Sequence, residues 1–149
     1  MNVFNYMETD SEMLNDLFDE LTENYSEWAQ DRVFEQSKNA LAGVKGHFQK
    51  EEMVINNLKD QRGLEQPLAE AKKERDAIVS EIEQLVMIHV DEPGFEQGLE
   101  SIATKFKNHR KFSLEKLYPL LKERLSSSDM HRISEQLEQR VLSGKQRTD

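Results

Sequence analysis

The sequence has no cysteine among its 149 residues. That excludes a disulfide framework, a thiolate metal site and a cysteine nucleophile, and it fits a reducing compartment. Only three prolines and six glycines interrupt the chain, too few for a succession of short strands and tight turns. Positive charge is also scarce: 20 Lys and Arg stand against 29 Asp and Glu, a net charge of −9. Neither nucleic acid nor an anionic membrane surface is therefore an expected partner. No apolar run approaches the ~20 residues that cross a bilayer. The opening residues, MNVFNYMETDSEM, hold no basic segment followed by an apolar stretch, so no leader is expected and a cytoplasmic location is. Four scattered His without Cys offer no nucleophilic triad, and Gly43-Val-Lys-Gly46 has no preceding strand that would make it a phosphate loop. The chain is not expected to be an enzyme.

Hydrophobic residues make up 36% and charged residues 33% of a length that suits one domain, 1–149. They recur at spacings of three and four, so the expected class is all-α. Thr9-Asp-Ser-Glu12 has the form of a capping box, placing the first helix start there and leaving residues 1–8 as an arm. Leu14, Phe18, Leu21, Tyr25 and Trp28 follow on one face. A second helix from about Arg32 to Lys59 carries Leu41, Val44, Phe48, Ile55 and Leu58 and stops before Gly63. Gln66-Pro67 opens a third, with Leu68, Val79, Ile82 and Val86 inward, up to the break at Asp91-Glu-Pro-Gly94. A fourth holds Ile102, Phe106, Phe112, Leu117 and Leu120, with Pro119 as a kink or end. A short fifth follows Ser126 with Ile133, Leu137 and Val141, and residues 143–149 read as a flexible tail. The architecture predicted is an up-down-up-down four-helix bundle with a short C-terminal helix.

Polar residues interrupt the apolar stripes. His47 and Glu51 are four apart and share a helix face, and His109 lies in the stripe of the fourth helix. Imidazole and carboxylate so placed can hold a metal ion, although such a pair alone is more often an internal hydrogen bond or a solvated face. His89 and His131 need only surface or capping roles, and Glu52 and Glu115 only solvation.

In longer context, His47-Phe-Gln-Lys-Glu51-Glu52 and the stretch from His109 to Leu117-Tyr118-Pro119 resemble the two half-motifs of the hemerythrin-like, HHE cation-binding family. The resemblance covers nearly the whole chain and implies a four-helix bundle around two non-heme irons. It also implies six principal ligand positions, of which His47, Glu51 and His109 are kept. Ser11, Lys72 and Ser113 stand at the others as losses. Thirty-six residues separate Ser11 from His47 and thirty-seven separate Lys72 from His109, similar intervals for two helical hairpins.

A serine is a poor bridging ligand, and an ammonium at a ligand position repels a cation. Lys72 either pairs inward with Glu51 or snorkels to solvent, and Arg75 shares its face, so both are not easily buried. The expected cofactor is none or one weakly held ion, iron or zinc, rather than a diiron centre. The expected function is that of a non-enzymatic family member with a depleted site. A second reading is a metal-free bundle serving as an interaction or structural module, with an unknown protein partner and oligomeric state. A third is a working diiron protein that binds dioxygen or nitric oxide or senses iron.

Overall fold

The computed structural model describes the backbone of residues 1–58 and 60–147, and the side chains of those residues as far as 143. Among the described residues every regular element is helical: α1 (Val3–Glu23), α2 (Gln30–Asn56), α3 (Glu65–Leu85), α4 (Phe95–Phe112), a π turn (Ser113–Leu117), α5 (Tyr118–Arg124) and α6 (Ser127–Arg147).

The first helix starts earlier than its capping box suggests. Asn2 is the cap, its Oδ1 accepting the Asn5 N–H at 3.0 Å, and Val3, Phe4 and Met7 are buried. Residues 3–8 are thus the first turns of the helix rather than an arm, and Thr9 and Glu12 lie within it. Asparagine caps as well as threonine does, and the apolar residues at 3, 4 and 7 continue the stripe of Phe18 and Leu21 across the polar Ser11. Tyr25 and Trp28 fall in the turn beyond α1 at the edge of the core. The Tyr25 hydroxyl donates to the Val90 carbonyl at 2.8 Å, and the Arg32 guanidinium sits 4.0 Å above the Trp28 ring.

Gly63, at φ +81°, turns the chain into α3, and Gly94, at φ +97°, turns it into α4. Val86, expected on the inward stripe of α3, stands just past the helix end and is exposed; the stripe is Ile78, Ile82 and Leu85. Ser126 Oγ accepts the Asp129 N–H at 3.1 Å at the start of α6, which buries Ile133 and Leu137. This helix has 21 residues, Ser127–Arg147, so it is not the short one expected, and it takes in residues 143–147 of the expected tail; residues 148–149 lie outside the described residues.

Pro119 shapes the end of the fourth helix. It has no N–H to give the Glu115 carbonyl, and the chain widens into the π turn, with the Tyr118 N–H reaching back five residues to the Ser113 carbonyl. The added residue rotates α5 relative to α4. Leu117, Tyr118 and Leu121 are buried, while Leu120, expected inward, is only half-buried.

The buried apolar residues form two clusters. One contains Val3, Met7, Val54, Leu58, Ala71 and Leu121; the other contains Phe18, Val44, Ile78, Ile82, Leu99 and Phe106. α1 and α3 pass from the first cluster to the second, and α2 and α4 pass the other way. α1 packs chiefly on α2 and α4, α3 chiefly on α4, while α2 and α3 touch little. Each of α1 to α4 changes cluster at buried polar residues: Ser11, then His47 and Glu51, then Arg75, then His109, with Ser113 just past it in the π turn.

Candidate metal centre

Glu51 lies at the middle of that polar layer, fully buried. Its Oε1 accepts from Arg75 Nη1 at 2.8 Å and His109 Nε2 at 2.9 Å. Its Oε2 accepts from the Tyr118 hydroxyl at 2.9 Å and, at 3.3 Å, from the Ser113 hydroxyl. Four donors on two oxygens saturate the carboxylate. Burial raises its pKa, but the hydrogen bond and charge of His109, with the charges of His47 and Arg75, outweigh it and hold the carboxyl down at about 2.

His109 is held at both nitrogens, Nε2 by Glu51 and Nδ1 by Glu74 Oε1 at 2.7 Å. Two carboxylate acceptors require two N–H donors, which is the imidazolium. Burial opposes that charge, yet the bonds to Glu51 and Glu74 win and raise the pKa above the ordinary value. Burial, and then the charge of Glu51, push the Tyr118 phenol well above its usual range, so it remains a neutral donor. Arg75 Nε lies 3.7 Å from a Glu52 oxygen, beyond hydrogen-bond reach.

The other side of the layer is organised by Asp10. Its Oδ2 meets His47 Nδ1 at 2.8 Å and its Oδ1 accepts from Lys50 Nζ at 3.3 Å. Burial raises the Asp10 pKa, but the His47 bond and the Lys50 charge bring it below normal. Ser11 donates to the Met7 and Glu8 carbonyls at 3.0 Å and accepts from Arg110 Nε at 2.8 Å.

Five of the six positions singled out in the sequence, Ser11, His47, Glu51, His109 and Ser113, therefore share one buried layer. Lys72 does not. Its side chain is 69% exposed and bonded to Asp76 at 2.7 Å on the helix surface. The inward residues of α3 near this depth are Ala71 and Arg75, and the cation beside Glu51 is the guanidinium. Its planar fork and persistent charge make arginine the better buried partner of a carboxylate. Glu74 and Tyr118 were not among the expected site residues. Tyr118 was visible only as part of the Leu117-Tyr118-Pro119 motif, and its inward aim depends on the π turn.

The hemerythrin HHE cation-binding domain matches residues 2–121. The chain belongs to that family. The matched span ends inside α5, so α6 lies beyond it. No curated protein and no solved structure matches the chain.

A family-type cation does not fit the donor set found here. A metal ligand must offer a free lone pair. Those of Glu51 face four donors, both nitrogens of His109 face carboxylates, and a fixed positive charge lies 2.8 Å from the central carboxylate. Among the described residues no three His, Asp or Glu side chains are grouped to hold a metal ion, and none of the hydrogen bonds there joins His47 to Glu51 or His109.

Proposed function

We propose that this chain is a metal-free hemerythrin-family module, an up-down four-helix bundle whose centre is a structural ion-pair network rather than a cation site. The observation that carries the reading is the Arg75–Glu51 pair, flanked by doubly held His109. Arg75 supplies the permanent positive charge beside the buried carboxylate, the His109 imidazolium a second one, and Ser113 and Tyr118 complete its coordination with hydroxyls. The second reading from the sequence, charge pairing in place of iron, is favoured, with Arg75 rather than Lys72 as the cation. The alternation of α1 to α4 between the two core clusters supports the up-down topology.

No reaction is assigned to this centre. Glu51, His109 and Tyr118 are each committed to partners inside the bundle rather than held free for a substrate. The module then works through its outer surfaces, as a scaffold or binding element in the cytoplasm.

The test is metal content together with thermal stability. The protein purified from iron- and zinc-supplemented cells, and reloaded anaerobically with Fe²⁺, should hold well under one ion per chain, and its Tm should not move with either metal. A ligand that binds the folded state stabilises it by RT ln(1 + [L]/Kd). Stoichiometric metal, with a rise in Tm abolished by His109→Ala, would refute the reading.

A further inference from the structure

Away from the centre, α2 and the end of α3 leave an apolar groove of about 450 Å³. Phe34, Ser37 and Leu41 line it along α2, with Ile82 and Phe95 opposite. Ser37 is its anomaly. The residue is 2% exposed, and its hydroxyl has no hydrogen-bond partner. Other helical hydroxyls here, Ser11 and Thr22, bond back to the carbonyl four residues earlier at 3.0 and 2.9 Å. A buried hydroxyl left unmade is costly and calls for an acceptor. The rim carries two ammonium groups although the chain is acidic: Lys38 and Lys45 border the groove. Among the described residues Lys38 has no ion-pair partner, while Lys45 reaches Glu83 only at 4.0 Å.

We propose that this groove binds a small amphiphilic monocarboxylate, its chain against Leu41, Ile82 and Phe95 and its carboxylate accepting from Ser37 Oγ beside Lys38. The apolar walls require an apolar body, the orphaned donor requires an acceptor, and the unpaired ammonium gives that acceptor a negative charge. A medium-chain fatty acid such as decanoate is a probe of this class. The volume lies in the range of small-molecule sites. This site stands apart from the polar layer and does not depend on the centre being metal-free.

The experiment titrates the full chain with decanoate, by calorimetry and by amide NMR, and with decanol as the uncharged control. Decanoate should bind one per chain and shift the amides of Ser37, Leu41 and Phe95. Ser37→Ala, a substitution a helix accepts readily, should weaken it about threefold to tenfold. Lys38→Glu, on an exposed side chain, should weaken decanoate severalfold and leave decanol unchanged. No binding at millimolar decanoate would overturn the proposal. Decanol binding as tightly as decanoate, or affinity indifferent to both substitutions, would overturn the carboxylate assignment. Light scattering that shows a dimer which decanoate does not dissociate would overturn it in favour of a second copy of the chain covering the groove.

Discussion

At the scale of residues, the decisive difference is three positions along α3. Lys72 and Arg75 are both cations, yet one lies on the surface with Asp76 and the other against Glu51. Periodicity could place both near one face, but it could not choose between them, because the choice depends on the exact rotation of α3 and on guanidinium geometry. The two should behave oppositely in chemical denaturation. Arg75→Leu strands a buried carboxylate and should cost about 3–5 kcal/mol, whereas Lys72→Ala, losing an exposed pair, should stay within about 0.5 kcal/mol. A large loss from Lys72→Ala would show that the cations are exchanged.

The same residues set the dependence of stability on pH. Glu51 has a folded pKa far below its unfolded value of 4.5, so its stabilisation is present above about pH 4.5 and lost as pH falls toward 2. His109 is shifted up from 6.5; its contribution is complete below about 6.5 and lost as pH rises through the raised value. The layer should therefore stabilise most near pH 5 to 6 and weaken on both sides. His109→Gln should remove the alkaline decline specifically, as followed by urea midpoints across pH. An unchanged alkaline limb in that variant would mean that His109 is not the imidazolium described.

At the scale of elements, the long helices were legible because their apolar stripes and their breaks at Gly63 and Pro93-Gly94 are local signals. The N-terminal turn was not, since Asn2 and Thr9 are both plausible caps and only burial of Val3, Phe4 and Met7 decides between them. Deleting residues 1–7 should consequently destabilise by several kcal/mol, given about 2–5 kcal/mol for each large core side chain removed. A true arm would be lost without effect on Tm. The π turn was illegible for a related reason: Pro119 announces a distortion but not its sense. By adding a residue, the turn delivers the Tyr118 hydroxyl to Glu51. Tyr118→Phe should cost about 1–3 kcal/mol with the fold retained by circular dichroism, and a neutral outcome would show that this bond contributes nothing.

At the scale of the molecule, two apolar clusters are joined through one polar layer to which α1, α2, α3 and α4 all contribute. Pairing of this kind does not by itself add stability over a packed apolar core, but removing one partner leaves the rest unsatisfied. A metal site can therefore be rebuilt only by removing the guanidinium. Ser11→His with Arg75→His and Ser113→Glu should take up iron under anaerobic Fe²⁺ loading, while the same set with Lys72→His in place of Arg75→His should not. Equal uptake by the two sets would contradict the placement of α3.

The central claim, that a guanidinium occupies the electrostatic role of the cation at Glu51, is tested most directly by a double-mutant cycle of Glu51→Gln and Arg75→Met, measured by denaturant unfolding. Mutual dependence predicts single variants that are each strongly destabilised, a double variant much less so than their sum, and a coupling near the upper end of the 0.5–3 kcal/mol range, about 2–3 kcal/mol. Additive losses, with coupling below about 0.5 kcal/mol, would show that Arg75 does not neutralise Glu51 and would contradict the account.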